Sequence, residues 1–246
     1  ATLIGKWLRE KPRKYTYRIA LLPETIGAVA YIHHNLETLV KKVVSGFNLS
    51  CLGDERCYSM VGSRYGDTIA DRIASRVLDE RARWGEKTKK YSFLERQSDE
   101  RQYCSPGVDL PLVTLCRSRY GTYPEYHTSL DNFDLVTASG LRGGFEYVRD
   151  CLLDLEQNPR YKATFCCEPR LGKRGLYPEI GSRSSGAQPN SDTIMKSLNV
   201  RAVLDVLAYS DGTNSVKDIA VRIHRSTAEV HSILERLIDE GLLEEG

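Results

Sequence analysis

Apolar and polar residues follow one another in two regular patterns along the first two-thirds of the chain. Short β-branched or aromatic runs, typical of strands, alternate with longer segments in which apolar residues recur every three or four positions, as in amphipathic helices. Strands are predicted at 15–22, 47–52, 91–94 and 110–116, and helices at 1–10, 25–42, 68–83 and 141–155. This alternation predicts an α/β domain of three layers around a mostly parallel sheet.

The sequence changes character after residue 170. Residues 173–191 are rich in Gly, Ser and Pro, which is typical of a linker. Three helical patterns follow at 192–209, 215–224 and 227–240, and a short apolar end comes after them. This order predicts a small winged-helix domain. The chain is therefore divided into an α/β domain (1–172), a linker (173–191) and a winged-helix domain (192–246).

Composition and charge narrow the function classes. The 246 residues are 41% hydrophobic and 28% charged, with a net charge of +2, as in an ordinary globular protein. No apolar run approaches the roughly 18 residues that a membrane-spanning helix needs. Seven cysteines without a Cys-x-x-Cys pair favour a reducing cytoplasm. We therefore expect a cytoplasmic protein that does not bind membranes.

Two further features concern the ends of the chain. The first residue is not Met, and Leu3, Ile4, Trp7 and Leu8 already form one helix face, so an upstream segment is expected. Residues 173–246 carry 9 Lys and Arg against 11 Asp and Glu. Binding to DNA phosphates needs clustered basic residues. We therefore expect the winged helix to contact protein and not nucleic acid.

Polar clusters follow the predicted strands, where α/β proteins bind their ligands. Glu24 comes directly after the first predicted strand, at the start of a helix that stabilises an anion, although it could be an ordinary first-turn acid. Residues 98–103 are densely polar, as a solvated loop would also be. His127 lies in an aromatic loop, where it could be a ligand, a general base or only a hydrogen-bonded residue. Four arginines could bind a substrate carboxylate or phosphate, or could simply be solvated: Arg64, Arg101, Arg117 and Arg119.

Six sequence phrases, taken together, carry a family resemblance. They are Pro-Glu-Thr-Ile-Gly at 23–27, Phe-Asn-Leu-Ser-Cys-Leu-Gly-Asp at 47–54, Ser-Arg-Tyr-Gly at 63–66, Ser-Asp-Glu-Arg-Gln-Tyr-Cys-Ser-Pro-Gly at 98–107, Tyr-Gly-Thr-Tyr-Pro-Glu-Tyr-His-Thr-Ser-Leu-Asp at 120–131 and Gly-Lys-Arg-Gly-Leu-Tyr-Pro at 172–178. In this order they resemble the zinc-dependent aminopeptidase and glutaminyl-cyclase superfamily. More closely they resemble its bacterial branch with a C-terminal winged helix, which is associated with polysaccharide biosynthesis.

The resemblance implies a role for several residues. Glu24 matches the family's general base, and His127, in the family's Tyr-His-Thr phrase, matches a zinc ligand. Asp99 matches the acid of the Ser-Asp-His phrase and could serve as a carboxylate ligand. Thr25 and Ser50 stand where the family has two further ligands, and hydroxyls are poor zinc ligands. The resemblance therefore implies one zinc ion at most, in a site that Arg64, Arg101 and Tyr126 would line.

Two functions from different classes follow from this resemblance. The first is a metal-dependent hydrolase that acts on an amide or peptide-like bond of a small-molecule or peptide-like substrate and is linked to polysaccharide biosynthesis. The second is a catalytically inactive binding module. It would keep the family's active-site pocket for binding and use its acidic winged helix for protein contacts, including contacts with a second copy of itself. A transcriptional regulator is a third interpretation, and the negative charge of the winged-helix region argues against it.

Overall fold

The computed structural model describes residues 1–169, 171 and 191–245, with the backbone alone for 191–199. The chain forms two compact units, Ala1–Gln157 and Asn158–Gly246. The predicted linker, 173–191, lies outside the described residues except for Ser191, as does the phrase at 172–178. The boundary predicted at residue 172 therefore stays a prediction.

The first unit is an α/β domain. Its helices are α1 (Thr2–Leu8), α2 (Ile26–Lys42), α3 (Ile69–Arg83), α4 (Glu100–Tyr103) and α5 (Ala138–Gln157). Its strands are β1 (Gly46–Leu49), β2 (Tyr58–Val61), β3 (Thr88–Tyr91) and β4 (Leu112–Cys116), in the order β1-β4-β2-β3. The β1–β4 and β2–β3 pairs are parallel, and β2 runs antiparallel to β4. The prediction of an α/β fold with a mostly parallel sheet is confirmed.

The two faces of the sheet are covered differently. Alternate residues of β4 point to opposite faces. Val113 and Leu115 belong to the main apolar core, which α1, α3 and α5 complete. Thr114 lies on the other face, where its hydroxyl bonds Glu100 at the start of α4. Helices α2 and α4 pack together on that side, around Ile32, Leu39 and Leu110.

Two strand predictions need correction. The run at 15–22 forms no strand in the described structure. Instead, the carboxylate of Glu156 on α5 accepts hydrogen bonds from the Lys14 amide at 2.9 Å and the Tyr17 hydroxyl at 2.7 Å. The run therefore lies against a helix with no partner strand. The strand predicted at 91–94 forms earlier in the chain, as β3 (Thr88–Tyr91). Strand β2 is not predicted from the sequence, because its four residues follow a loop rich in polar residues.

Helix α5 comes unusually close to the loop after β1. A Cβ atom on Gly140 would lie 1.9 Å from the carbonyl oxygen of Gly53, and one on Gly144 would lie 2.3 Å from that of Leu52. Only glycine allows backbone to pack on backbone at this distance. The glycines of α5 thus hold the 52–54 loop in place at the end of β1.

The second unit has the arrangement of a winged helix. It contains α6 (Ser191–Tyr209), α7 (Val216–Arg222) and α8 (Thr227–Asp239), with an antiparallel sheet of β5 (Arg160–Ala163), β6 (Asp211–Ser215) and β7 (Leu243–Glu245) in the order β6-β5-β7. Ser215 and Ser226 cap α7 and α8 through capping boxes, which explains why these starts are predictable. The winged-helix prediction is confirmed. None of the described helices is both long and apolar enough to span a membrane.

Replacing Gly140 by Ala should destabilise the first unit. The added methyl group would collide with the carbonyl oxygen of Gly53, so α5 must move or strain, at a cost of about 1–3 kcal/mol. Urea unfolding followed by a probe in the first unit measures this loss. The matched control is Ser139→Ala, an exposed change one residue away on the same helix. An equal free energy of unfolding for both variants would contradict the close approach.

Candidate functional site

The turn before α2 has an unusual backbone conformation. Thr25 has φ 64° and ψ −70°, a region that β-branched residues rarely adopt. Its amide donates to Oδ1 of Asp99 at 2.8 Å, and its Oγ1 accepts a hydrogen bond from Arg101 at 2.7 Å. Thr25 occupies the N-cap position, but its side chain does not cap the helix. Two side chains of the 98–103 segment thus hold the turn that carries Glu24.

Glu24 itself is exposed beside the start of α2. The turn is tight, because the backbone carbonyl of Glu24 accepts a hydrogen bond from the Ile26 amide at 2.7 Å. A Cβ atom on Gly27 would lie 2.7 Å from the Cδ atom of Pro23, so glycine is required there. The N-terminal end of a helix favours a negative charge. The backbone of the turn is therefore held in place, and the exposed side chain of Glu24 extends from it into solvent.

Asp99 is a half-buried carboxyl group with a perturbed pKa. Burial raises the pKa of Asp99, and the negative charges of Glu24 and Glu100 raise it further. The Thr25 amide and the positive charge of Arg101 act in the opposite direction without cancelling the effect. A raised carboxyl pKa next to a second acid is an arrangement that acid–base sites use.

Glu100 organises the interior behind Asp99. Its side chain is fully buried and accepts hydrogen bonds from five donors. Oε1 accepts from the Tyr120 hydroxyl at 2.6 Å and from the amides of Gln97 and Ser98 at 2.8 and 3.1 Å. Oε2 accepts from Oγ1 of Thr114 at 2.7 Å and Nδ2 of Asn48 at 3.3 Å. One carboxylate therefore joins β1, β4, the 97–98 loop and the segment after β4.

Tyr126 and His127 are adjacent residues of the loop after β4. Their rings stack with centroids 3.9 Å apart, and His127 is exposed with φ 58°. Tyr126 packs on an apolar cluster of Val61, Tyr91 and Tyr120. The pKa of Tyr126 is raised by burial first, and the negative charge of Glu24 adds to it. Tyr126 thus lies within electrostatic reach of Glu24.

The loop that carries His127 is anchored at its base. Arg56 forms a bidentate ion pair with Glu125, with N–O distances of 2.7 and 3.0 Å. This pair lowers the pKa of Glu125 to about 2. Asp54, which is buried, accepts hydrogen bonds from the amide and the hydroxyl of Ser118, both at 2.8 Å. Asp54 therefore has a structural role between the ends of β1 and β4, and Glu125 fixes the loop beside Tyr126.

Arg64 is placed differently from the other predicted residues. Its Nε donates to Oδ1 of Asp109 at 2.7 Å, and its Nη2 donates to the hydroxyl of Tyr65 at 2.7 Å. No contact in the described structure joins Arg64 to the group formed by Thr25, Asp99 and Arg101. The structure thus places Asp99 and Arg101 against the turn of Glu24, and Tyr126 within electrostatic reach of Glu24, whereas Arg64 has other partners.

The predicted metal ligands do not complete a metal site among the residues that the structure describes. Among the described residues, no group of three or more His, Cys, Asp or Glu side chains is arranged to hold a metal ion. A catalytic zinc ion takes three protein ligands. The hydroxyl of Thr25 is already bonded to Arg101. Asp99 and His127 alone therefore do not fit a zinc centre.

The most connected residue of the site is not apparent from the sequence. In the sequence, Glu100 is one of several polar residues in the segment 98–103. The signal that could reveal it is Thr114, a polar residue inside the apolar run 110–116. A buried hydroxyl needs a hydrogen-bonding partner, and that partner is Glu100.

Comparison with known protein families covers nearly the whole chain. Residues 1–158 match the family described as "Domain of unknown function (DUF4910)", and residues 159–245 match the family described as "winged helix-turn-helix". The two matches meet within one residue of the division between the two compact units.

Relatives with known sequences or structures are longer than this chain. A protein of Clostridium acetobutylicum named "Putative polysaccharide biosynthesis protein with aminopeptidase-like domain" is 35% identical over 222 residues, which are 90% of this chain and 48% of the relative. The crystal structure of a "putative peptidase" from Clostridium acetobutylicum has 31% identity and a TM-score of 0.65, covering 100% of this chain and 52% of that one. The chain therefore spans about half the length of these relatives.

Glu100→Gln should strongly destabilise the first unit. The amide has one accepting oxygen where the carboxylate has two, so its NH₂ group would face donors that now bond to Glu100. Buried donors left without acceptors should lower the free energy of unfolding by about 3 kcal/mol. Chemical denaturation measures the loss, with the exposed Glu10→Gln as the control. A stability equal to that of the control would exclude the proposed role of Glu100.

Asp99→Asn should stabilise the protein near neutral pH. The asparagine keeps an oxygen that accepts from the Thr25 amide, and it removes the cost of ionising a group whose folded pKa is raised. That cost is absent below the ordinary pKa of 3.8 and grows as the pH rises through the raised value. The stability difference between variant and wild type should thus increase with pH. Thermal unfolding across this range measures it, and a pH-independent difference would contradict the raised pKa.

Proposed function

The chain belongs to the DUF4910 family, and we propose that its first unit holds a peptidase-like site for hydrolysis of an amide bond. The names of the two Clostridium acetobutylicum relatives, one aminopeptidase-like and one a peptidase, support this class of reaction. The reference to polysaccharide biosynthesis in one name supports a substrate from that chemistry. The substrate is proposed to be a small or peptide-like molecule with an amide bond.

The proposal depends on the fixed backbone of the turn that carries Glu24. Its turn is held by hydrogen bonds from Thr25 to Asp99 and from Arg101 to Thr25. A general base must be held within reach of the proton that it removes. Glu24 is the exposed carboxylate at this turn, whereas Asp99 is occupied by the Thr25 amide. Glu24 is therefore proposed as the base, and Asp99 as the residue that positions it.

The proposed reaction uses the carboxylate of Glu24 in two steps. The carboxylate takes a proton from a water molecule while the water oxygen attacks the amide carbonyl carbon. Glu24 then gives the proton to the leaving nitrogen as the carbon–nitrogen bond breaks, which restores the carboxylate. Arg101 and Tyr126 are proposed to contact the substrate beside this carboxylate. Arg64 has no role in these steps.

Neither step is assigned to a zinc ion. The resemblance in the sequence implies one zinc ion at most, for which this chain offers His127 and Asp99 as ligands. These two side chains do not fit a zinc centre by themselves, because three protein ligands are needed. The proposed proton transfer therefore relies on the carboxylate and on its fixed turn.

A second candidate is a binding module without catalysis. It is favoured by Thr25, which stands where the family has a ligand and whose hydroxyl instead bonds Arg101. The winged helix would then dock a partner protein. The exposed residues of α8 include Glu229, Glu235 and Asp239 against a single Lys or Arg residue, Arg236. This acidic surface supports a protein partner over nucleic acid.

Glu24→Gln tests the first candidate. Loss of a general base should reduce kcat for an aminoacyl amide by about 10²- to 10⁴-fold, while the fold is kept because the side chain is exposed. The control is Glu37→Gln, an exposed acid on α2, the helix that follows Glu24. Turnover by steady-state kinetics and the fold by circular dichroism are measured together.

Three outcomes separate the candidates. Turnover that falls in the Glu24 variant and persists in the Glu37 variant supports hydrolysis with Glu24 as base. Unchanged turnover in the Glu24 variant contradicts that role. A wild-type protein that binds an aminoacyl amide without turning it over contradicts hydrolysis and supports the binding module.

A further inference from the structure

A separate polar pocket lies on the α5 side of the sheet. It has a volume of about 230 Å³, and Tyr58 and Arg117 form part of its wall. Tyr58 begins β2 and belongs to the core that contains Val113 and Leu115. Arg117 is two residues beyond Leu115, so it extends to the same face of the sheet. The pocket is thus on the face opposite to Thr114 and Glu100.

Arg117 and Tyr58 are held rigidly in this wall. Arg117 is only 4% exposed and Tyr58 only 5% exposed. The guanidinium of Arg117 stacks 3.8 Å above the Tyr58 ring, and its Nε donates to the carbonyl oxygen of Cys57 at 2.8 Å. The guanidinium of Arg81 also contacts the Tyr58 ring, at 4.3 Å. Such stacking fixes the direction of the Arg117 fork and of the Tyr58 hydroxyl.

The polar ends of these two side chains have no partner in the described structure. Neither terminal nitrogen of Arg117 makes a hydrogen bond or an ion pair there, and neither does the Tyr58 hydroxyl. Both ends meet above Gly143 of α5, where a Cβ atom would lie 2.1 Å from Nη1 of Arg117 and 2.7 Å from the hydroxyl. Neither end is among the solvent-excluded unpaired atoms of the described structure, so both reach the open space of the pocket, where water or a ligand can bond them. A guanidinium fork and a hydroxyl together form a donor set suited to a carboxylate.

The charges around the pocket limit the ligand further. Glu55, Glu86 and Glu146 also line it, with one more cation, Arg142. Three carboxylates against two guanidinium groups disfavour a polyanion such as phosphate. Glu146 follows Gly143 by three positions on α5, so both lie on one helix face, and Glu146 has no ion pair among the described residues. This lining suits a ligand with one negative and one positive group.

We propose that this pocket binds a free α-amino acid by its zwitterionic backbone. The ligand carboxylate pairs with the terminal nitrogens of Arg117 and with the Tyr58 hydroxyl. The ligand ammonium group faces the carboxylate of Glu146. The site is separate from Glu24 and Asp99 and does not depend on the hydrolysis proposed for them.

Titration of the 246-residue chain with glycine, acetate, methylammonium and inorganic phosphate tests this site. Backbone amide chemical shifts in NMR spectra report both affinity and location. Glycine should bind more tightly than acetate or methylammonium, because only glycine carries both charges. Phosphate should bind more weakly than glycine. The perturbed amides should include those of Arg117 and Gly143.

Three variants and a control assign the contacts. Arg117→Lys should raise the Kd of glycine and of acetate by about tenfold or more, because the bidentate fork is lost. Tyr58→Phe keeps the stacked ring and removes the hydroxyl, so it should weaken the binding of glycine and of acetate. This variant tests the same contact if Arg117→Lys fails to fold. Glu146→Gln should weaken the binding of glycine and leave the binding of acetate unchanged. Glu37→Gln, on another helix, should change none of them.

Several results would overturn the proposal. One is the absence of glycine binding to the wild-type chain. Another is tighter binding of phosphate than of glycine, which would indicate a simple anion site. A third is glycine binding that survives both Tyr58→Phe and Glu146→Gln unchanged, which would place the ligand elsewhere.

Discussion

The buried carboxylate of Glu100 is the interaction on which the arrangement of the site depends. A fully buried carboxylate is tolerated only where hydrogen bonds replace its lost hydration, and Glu100 has five donors around it. These donors come from β1, from β4 and from the loops that follow the sheet. Because Asp99 is the preceding residue, its position is set by the same interaction. Asp99 in turn holds the turn before α2, on which Glu24 lies.

The sequence predicts the parts of this structure that local chemistry determines. Helix α3 and the winged-helix segments α7 and α8 begin at capping boxes, so their starts are visible in the sequence. The buried strand β4 is also visible as an apolar run. The strand predicted at 15–22 is wrong, because a β-branched run becomes a strand only where another strand pairs with it. Pairing is a property of the whole fold, and here Glu156 binds the start of the run instead.

The candidate site can be predicted only in part for a similar reason. Glu24, Asp99, Arg101 and Tyr126 are predicted from their place after predicted strands and from the family resemblance. The backbone conformation of Thr25 and the five donors around Glu100 arise from residues far apart in the sequence. No local pattern indicates them. The Arg117–Tyr58 pair is a further case, because a strand order with β2 beside β4 is needed to bring the two residues together.

Asp99 both holds the turn that carries Glu24 and interacts electrostatically with Glu24. Carbon-detected NMR titration of the Asp99 carboxyl group in wild type and in Glu24→Gln tests this interaction most directly. The account predicts a pKa above the usual value of 3.8 in the wild type, and a lower pKa in the variant because one negative charge is removed. An ordinary pKa in the wild type, or a value that does not change when Glu24 is replaced, would contradict it.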